Sequence, residues 1–271
     1  MKLDGRVAVI TGAGSGIGRG LALALAKRGC AVALADVSQA GLSETAALIR
    51  GVQTSMHRLD VADREACLAL PQAVLAEHGR ADILVNNAGV AIGGTFEQVD
   101  EADFDWLMEV NFRAVVRLTR AFLPHLRAQD EARIVNVSSL FGLIAPPGQT
   151  AYCAAKFAVR GFSESLRREL EEAGSPVGVT VVHPGGVNTG IARNARPPRH
   201  VSNEEAALID SEKERFQKFL RMDPAKAGEI IAEAIARNRP RVLVGGDARL
   251  AGLIERIMPV NYWTLLKRSM S

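Results

Sequence analysis

A short apolar segment that runs into a glycine-rich turn constrains the fold more than any other feature of this chain. Residues 7–10 (Val-Ala-Val-Ile) are typical of a buried strand, and residues 21–27 are predicted to be helical. Between them lie Gly12, Gly16 and Gly18, whose spacing differs from the common Gly-x-Gly-x-x-Gly. Glycine permits tight turns and close approach of a ligand, and a helix N-terminus attracts phosphate groups. The segment therefore predicts a turn that binds a pyrophosphate.

The rest of the chain continues this alternation of strands and helices. Strands are predicted at residues 7–10, 31–35, 54–58, 83–85, 133–137, 178–183 and 241–244. Helices are predicted between them, including residues 63–78, 101–127, 150–172 and 224–238. The alternation predicts an α/β fold, a doubly wound parallel seven-stranded sheet with helices on both faces that is Rossmann-like. Ligands of such sheets bind beyond the carboxyl ends of the strands, where we expect Asp36, Asp60, Asn87, Ser139 and Pro184.

Three polar residues have a spacing that predicts proton transfer. Tyr152 and Lys156 stand four residues apart on a predicted helix and so share one face, and Ser139 precedes the tyrosine by thirteen residues. A tyrosine has a pKa of about 10, and a nearby ammonium favours the phenolate. We therefore expect Lys156 to lower the pKa of Tyr152, which would act as general acid or base. Ser139 would hold the substrate oxygen and stabilise charge on it.

Together these motifs resemble the short-chain dehydrogenase/reductase family, in its single-domain branch, and the resemblance covers nearly the whole chain. It also rests on Asp60-Val61, on Asn86 to Gly89, on Asn111 and on Pro184 to Thr189. The resemblance implies hydride transfer between a nicotinamide cofactor and a carbonyl or carbinol carbon. It implies four catalytic residues, with Asn111 supporting a water relay to the lysine: Asn111, Ser139, Tyr152 and Lys156.

The same resemblance implies a set of cofactor-binding residues. They come from the glycine turn, from the ends of the strands and from the catalytic pair: Gly12, Ser15, Gly16, Ile17, Gly18, Asp36, Asp60, Val61, Asn87, Ala88, Gly89, Tyr152, Lys156, Pro184, Gly185, Val187 and Thr189.

One acidic side chain indicates which nicotinamide cofactor is used. Asp36 follows the second predicted strand, where a carboxylate can accept hydrogen bonds from both ribose hydroxyls of NAD. It would repel the 2′-phosphate of NADP. Ser15 and Val37 carry no charge, and Arg19 is expected to point to solvent. We therefore expect NAD(H); an alternative role of Asp36 is the N-cap of a helix over residues 38–50.

The expected substrate is a hydrophobic secondary alcohol or ketone. Residues 190–220 form a long connection at the binding end of the sheet, which predicts a substrate lid. An arginine of this lid could hold an acyl carboxylate or phosphopantetheine, so a 3-oxoacyl-thioester reductase stays open. A catalytically silent regulator or scaffold that binds the cofactor is a further alternative, although the intact Ser/Tyr/Lys set favours the enzyme. Apolar residues flank the catalytic motifs: Ala91, Ile92, Leu140, Phe141, Ile144, Pro146 and Pro147.

Composition adds broad limits. The 33 basic and 30 acidic residues give a net charge of +3, which is too small to favour a nucleic-acid partner. The first residues lack the apolar stretch of a signal peptide, and no run approaches the roughly 20 apolar residues of a membrane span. The three cysteines and the histidines lack metal-ligand spacing, so no metal is expected. Cysteines of this kind suit a reduced, cytoplasmic protein.

Two features concern domains and assembly. No linker or repeat divides the chain, so residues 1–271 are expected to form one domain. The resemblance implies a homodimer or homotetramer that pairs through helices 101–127 and 150–172. The C-terminal segment, residues 249–271, is expected to dock on its own subunit or on a partner, with peripheral membrane contact as the rival. It carries an apolar stripe at helical spacing: Leu250, Leu253, Ile254, Ile257 and Met258.

Overall fold

The computed structural model describes residues 1–199 and 201–270 and contains a sheet of seven parallel strands. Their order is β3-β2-β1-β4-β5-β6-β7, so the order reverses between β1 and β4. In open parallel sheets this switch point is where ligands bind. The predicted doubly wound α/β fold is confirmed. The strands are β1 Val7–Thr11, β2 Ala31–Asp36, β3 Thr54–Arg58, β4 Ile83–Asn86, β5 Ala132–Val137, β6 Val177–Pro184 and β7 Arg241–Val244.

Helices cover both faces of the sheet. None of the helices described is long and apolar enough to cross a bilayer. The helices are α1 Gly16–Ala26, α2 Gln39–Leu48, α3 Arg64–His78, α4 Glu101–Met108, α5 Ala114–Arg127, α6 Thr150–Glu172, α7 Asn203–Phe219, α8 Pro224–Ala236, α9 Gly246–Ile257 and α10 Tyr262–Met270.

Two hydrophobic cores lie on opposite faces of the sheet, because successive side chains of a strand alternate between its faces. Ile10 of β1 packs with Leu21 of α1 and Ile231 of α8 on one face. Its neighbour Val9 packs with Phe122 of α5 on the other. Complete burial of each such side chain contributes about 1.5–3 kcal/mol, so the alternation of apolar residues fixes the strands between two helical layers.

The predicted bounds of most elements are confirmed to within one residue. Strands 54–58 and 241–244 and helix 150–172 have the bounds that we predict, and the other strands extend one residue further at one or both ends. The first helix differs, because it begins at Gly16 rather than at residue 21. The glycines of the turn therefore belong in part to the first turn of α1.

The predicted helix 101–127 contains an irregular turn. Between α4 and α5 the chain makes one π-helical turn, Glu109–Arg113. Such turns admit an extra residue and are frequent at functional sites. The predicted helical stretch is confirmed, but it is irregular here, where the turn carries Asn111, whose buried side chain bonds to a distant loop. Periodicity in the sequence does not report that contact.

Helices α1 and α8 cross at two glycines. A Cβ on Gly20 would collide with the carbonyl oxygen of Pro224, and a Cβ on Gly228 would collide with the backbone of Gly20. The two backbones therefore touch directly. This contact holds α1, and with it the glycine turn at its N-terminus, against the rest of the domain.

We expect Gly20→Ala to lower the free energy of unfolding by about 1–3 kcal/mol, the usual cost of overpacking. The added methyl meets backbone atoms of α8, which cannot move aside as a flexible side chain would. Urea denaturation checks this. The control is Gly161→Ala in α6, because no described atom lies within 4 Å of a Cβ added there. This substitution should raise the free energy of unfolding by about 0.5–1 kcal/mol. Equal effects of the two substitutions would contradict the close crossing.

Candidate active site

The glycine turn lies at the C-terminal end of β1 and leads into α1. Gly12 and Gly16 have φ of 67° and 53°, a left-handed conformation that glycine adopts without strain. A Cβ on Gly18 would collide with the carbonyl oxygen of Gly12, so the turn closes only around glycine. Within the described residues the Ser15 side chain caps no N–H group of α1. The first-turn N–H groups therefore stay available to an anionic ligand, while Ile17 packs against the core.

Thr11 ties the glycine turn to the neighbouring strand end. Its hydroxyl oxygen accepts hydrogen bonds from the N–H groups of Asn87 at 3.0 Å and Ala88 at 3.1 Å. The hydroxyl also donates to the carbonyl of Val85 at 3.2 Å. In return, the amide of Asn87 donates to the Thr11 carbonyl at 2.8 Å. The predicted site residues do not include Thr11, although its position between the strand and Gly12 was a signal for it.

Asp36 ends β2 beside the glycine turn. One carboxylate oxygen accepts a hydrogen bond from the N–H of Gly14, and the other accepts one from the N–H of Ser38, each at 2.9 Å. Asp36 does not cap the helix that follows it. The N-cap of α2 is Ser38, whose hydroxyl accepts a hydrogen bond from Gly41 N–H. The alternative role of Asp36 as an N-cap is therefore wrong.

Arg19 folds back over the glycine turn rather than pointing to solvent. Its guanidinium donates to the carbonyl of Gly14 at 2.5 Å and forms an ion pair with Glu44 at 2.7 Å. It also donates to the hydroxyl of Thr45 at 2.9 Å. The expectation of a solvent-facing arginine is wrong because these acceptors on α2 and in the turn were not visible in the sequence.

Asp60 and Val61 follow β3 at the same edge of the sheet. The Asp60 side chain is exposed and accepts a hydrogen bond from the N–H of Ala62 at 2.9 Å. Val61 is buried, and its carbonyl accepts a hydrogen bond from the guanidinium of Arg117. The N–H of Leu59 donates to the carbonyl of Asp36 at 2.9 Å. The ends of β2 and β3 are thus joined where the sequence predicts the adenosine side of a site.

Gly89, Asn111 and Lys156 meet beyond β4. The Asn111 amide pairs with both backbone groups of Val90, accepting from its N–H at 2.8 Å and donating to its carbonyl at 2.9 Å. A Cβ on Gly89 would lie 3.2 Å from Asn111 Oδ1 and 3.5 Å from Lys156 Nζ. Asn111 therefore fixes the loop after β4, and glycine at position 89 lets that loop lie close to the amide and the lysine.

Ser139, Tyr152 and Lys156 come together as the spacing predicts. Nζ of Lys156 lies 5.6 Å from the centre of the Tyr152 ring and donates to the carbonyl of Val137 at 3.1 Å. Ser139 forms a hydrogen bond with the Tyr152 hydroxyl. A second serine supports the lysine, because Ser138 donates from its hydroxyl to the Lys156 carbonyl at 2.8 Å.

Burial controls the proton affinities of this group. It raises the pKa of Tyr152 to about 12, and the hydrogen bond with Ser139 opposes that rise. Burial also lowers the pKa of Lys156 to about 8. The expectation that Lys156 lowers the tyrosine pKa is therefore wrong for the free protein, because a phenolate loses its hydration here. Tyr152 therefore keeps its proton at neutral pH.

The loop after β6 closes the site on the side of α1. Pro184 ends the strand, and Gly185 N–H donates to the carbonyl of Val244 at 2.9 Å. Val187 is buried, and its backbone forms an isolated bridge with Met222. Further along, the methyl group of Thr189 would lie 3.1 Å from a Cβ on Gly16. The structure therefore brings this loop against the glycine turn.

Asp247 holds the same loop, although the residues predicted from the sequence to form the site do not include it. Its carboxylate accepts a hydrogen bond from the N–H of Gly186 at 2.6 Å, and a Cβ on Gly185 would collide with it. Asp247 follows the Gly-Gly pair at the end of β7. An acidic residue at a strand end was the available signal.

An apolar cluster lies on one side of the tyrosine. The ring of Phe141 meets that of Tyr152 edge to face, with centres 6.2 Å apart, and Phe216 of α7 lies 6.1 Å from Phe141. The C-terminal helices complete the cluster. Its members come from the segment after β5, from α6, from β7 and from the C-terminal region: Leu140, Phe141, Leu143, Ile144, Tyr152, Cys153, Phe216, Leu243, Ala251, Ile254, Tyr262, Trp263 and Leu266.

The C-terminal stripe has a different inward face from the one predicted. Ile254 packs against the apolar cluster, but Leu250, Leu253 and Ile257 are 55–70% exposed. Alanines at positions 248 and 251 are buried instead, because they let α9 approach closely. Beyond it, the Tyr262 hydroxyl accepts a hydrogen bond from the N–H of Ala145 at 2.9 Å. Docking on the chain's own subunit is thus carried by α10 and by one side of α9.

Comparison with known proteins identifies the family. A profile described as short chain dehydrogenase matches residues 6–200. SadH of Mycobacterium tuberculosis, an oxidoreductase by name, is 46% identical over 266 residues, which cover 97% of this chain and 94% of SadH. The chain belongs to the short-chain dehydrogenase/reductase family. It is an oxidoreductase of that family.

Two further relatives of this dehydrogenase are informative. The 3-oxoacyl-[acyl-carrier-protein] reductase FabG of Thermotoga maritima is 36% identical over 191 residues, covering 70% of this chain and 77% of FabG. A short chain dehydrogenase/reductase from Burkholderia phymatum, crystallised with NAD, superposes with a TM-score of 0.87 at 32% identity. That match covers 94% of each chain.

Dehydrogenases of this family bind a nicotinamide cofactor, and the residues of this chain fit one. Three close approaches lie between the glycine turn and the group of Ser139, Tyr152 and Lys156: Thr189 against Gly16, Asn87 against Gly12, and Gly89 against Lys156. A Cβ on any of these glycines would narrow the space at that approach. The uncapped start of α1 would supply N–H groups to the phosphates of such a cofactor.

Proposed function

We propose that this dehydrogenase transfers a hydride between NAD(H) and a hydrophobic secondary alcohol or ketone. The observation that carries the proposal is the partly buried Tyr152, whose hydroxyl is hydrogen-bonded to Ser139, with the Lys156 ammonium beside its ring and an apolar cluster on its flank. No simple packing requirement brings a serine, a tyrosine and a lysine together in this way.

Each residue of the group has a proposed role in moving the proton. A bound nicotinamide supplies or accepts the hydride. In ketone reduction Tyr152 donates its hydroxyl proton to the carbonyl oxygen, and in alcohol oxidation its phenolate takes that proton back. Ser139 donates a hydrogen bond to the same oxygen. Lys156 stabilises the phenolate, and Asn111 holds the loop after β4 against the lysine. The raised tyrosine pKa keeps the proton on Tyr152 at neutral pH, which suits reduction.

We expect Tyr152→Phe to reduce kcat by on the order of 10²-fold or more, the contribution of a positioned acid–base group. The ring and its edge-to-face contact with Phe141 are kept, so the fold and cofactor affinity should stay unchanged. Steady-state kinetics and cofactor titration by fluorescence measure the two quantities. A variant that keeps more than roughly a tenth of wild-type kcat, below the effect expected of general acid–base catalysis, would rule out the proposed mechanism.

Residues 190–220 are proposed to act as the substrate lid. The first part of this segment, up to residue 199, is held to the rest of the chain by ion pairs. Arg196 forms an ion pair with the buried carboxylate of Asp103 at 2.9 Å, and Arg199 forms another at 3.0 Å. The Arg196 guanidinium also lies 3.4 Å from the centre of the Trp106 ring. Its backbone pairs with the segment around Ile92. These contacts support a lid whose first part, up to residue 199, is fixed. In its second part, α7 places Phe216 against the apolar cluster.

The lid contacts bear on the substrate class. Arg196 and Arg199 are engaged by Asp103, which argues against their holding a substrate carboxylate or phosphate. The apolar cluster beside Tyr152 favours a hydrophobic ketone. A 3-oxoacyl-thioester reductase is the second candidate, and the similarity to FabG of Thermotoga maritima favours it. We expect NADH to be oxidised faster with hydrophobic ketones than with an equal concentration of a 3-oxoacyl thioester; the reverse order would favour the second candidate.

Assembly as a homodimer or homotetramer is part of the proposal. The resembled family pairs through the helices that correspond to residues 101–127, from α4 to α5, and to α6, and here Phe157 of α6 is partly exposed. The outer side of α9 offers a second apolar surface, formed by Leu250, Leu253 and Ile257. Pairing with further copies of the chain would cover both surfaces.

NAD(H) is the proposed cofactor in preference to NADP(H). The Asp36 carboxylate lies at the end of β2 and would repel a 2′-phosphate, and Val37 beside it is uncharged and 61% exposed. Arg19, the cation nearest the glycine turn in the sequence, is paired with Glu44. Its charge is therefore balanced by a carboxylate rather than left to a phosphate.

We expect kcat/KM to be at least tenfold higher with NADH than with NADPH, about 1.4 kcal/mol in free energy. The double substitution Asp36→Ala and Val37→Arg should narrow or reverse the preference, because it removes a negative charge and adds a positive one. Val37→Arg alone is the control, since it keeps the carboxylate and should change the ratio less. Equal or better activity of the unmodified protein with NADPH would overturn the assignment.

A further inference from the structure

His183, which does not belong to the predicted catalytic set, forms a hydrogen bond with the backbone of Ser139, the proposed catalytic serine. His183 lies on β6, next to β5, and is fully buried. Its Nδ1 lies 3.0 Å from the carbonyl oxygen of Ser139. A carbonyl oxygen only accepts hydrogen bonds, so Nδ1 carries the ring proton and donates it. The N–H of Gly142 donates to the same oxygen at 3.0 Å, so two donors from different elements hold this carbonyl.

The surroundings of His183 keep the ring in one state. Burial lowers its pKa to about 4; the hydrogen bond to Ser139 opposes this change, and the charges of Arg241 and Arg160 add to it. The ring is therefore neutral at physiological pH. Among the described residues none lies within hydrogen-bond distance of Nε2, which is buried. A proton at Nδ1 is the one that finds an acceptor, so the tautomer is fixed as well.

The Ser139 carbonyl matters because it sets the orientation of the serine. Ser139 has an extended backbone and caps the short 3₁₀ turn Leu140–Gly142, its hydroxyl oxygen accepting from the N–H of Phe141 at 3.1 Å. The same hydroxyl is hydrogen-bonded to Tyr152. If the peptide after Ser139 rotated, its carbonyl would lose the hydrogen bond from Gly142 N–H, and the turn whose Phe141 N–H holds the serine hydroxyl would be disturbed. The hydrogen bond from His183 Nδ1 to the carbonyl prevents that rotation.

We propose that His183 is a positioning residue, which holds the Ser139 peptide so that the serine hydroxyl points at the Tyr152 hydroxyl and the substrate oxygen. The proposal rests on the proposed function, because it takes Ser139 as the group that holds that oxygen. His183 itself exchanges no proton with the substrate. Its effect is transmitted through one hydrogen bond to a backbone carbonyl.

The test compares two substitutions that differ in a single donor. His183→Asn keeps an N–H donor at the δ position, whereas His183→Leu keeps a similar reach without a donor. We expect His183→Leu to lower kcat roughly tenfold, the effect of about one lost hydrogen bond on the transition state. The Kd for NADH should stay unchanged. His183→Asn should recover most of the lost kcat. If leucine prevents folding, as judged by circular dichroism, His183→Gln replaces it, because its amide extends to the ε position.

A double-mutant cycle separates positioning from general destabilisation. If His183 acts through Ser139, then His183→Leu should change kcat little in a Ser139→Ala background. A fall as large as in the wild-type background would overturn the proposal, as would a His183→Leu variant with wild-type kcat. Loss of kcat in both His183→Asn and His183→Leu, with lowered melting temperatures, would also count against it. Tyr152→Phe is measured in the same experiment. If Tyr152→Phe stays active, the proposed function itself fails. If Tyr152→Phe is inactive but His183→Leu has wild-type kcat, only the positioning role of His183 fails.

Discussion

The hydroxyl of Thr11 joins the two halves of the sheet at the point where the strand order reverses. It links β1, which carries the glycine turn, to β4, which leads towards the lysine and Asn111. Buried N–H groups that lose their acceptor cost about 1–3 kcal/mol each. Because two such groups share one oxygen, the spacing between the two strand ends is tightly set. The two sides of the site that are proposed to bind the cofactor and to transfer the proton owe their relative position to this junction.

The proton-transfer group is governed by burial more than by the attraction between its charges. Lys156 is buried and Tyr152 is partly buried, and this burial moves both pKa values towards the neutral forms. The hydrogen bond with Ser139 opposes the change at the tyrosine. The serine is thus proposed to act both on the substrate oxygen and on the hydroxyl that serves it. This double role explains why the backbone around Ser139 is held by several hydrogen bonds.

Much of the fold follows from the sequence because its signals are local. Strands such as β1 are continuous apolar runs buried on both faces, and the spacing of Tyr152 and Lys156 on one helix fixes their common face. The features that were missed depend on distant contacts. Arg19 turns back because its acceptors lie on α2, and the π-helical turn at Asn111 accompanies a bond to Val90. The inward face of α9 is set by small alanines, which a search for large apolar residues overlooks.

The division of labour around Tyr152 has a consequence for how this protein can diversify. The residues proposed to move the proton, Ser139, Tyr152 and Lys156, stand on the segment after β5 and on α6. In contrast, the aromatic residues of the apolar cluster include Phe216 on α7 and Tyr262 and Trp263 on α10. Both helices come later in the chain than β6 and the loop after it. Substitutions in these later elements can reshape the apolar wall while the donor and its supports stay in place. Selection for a new substrate, in nature or in the laboratory, can therefore act on one part of the chain without repeating the search for a working proton donor.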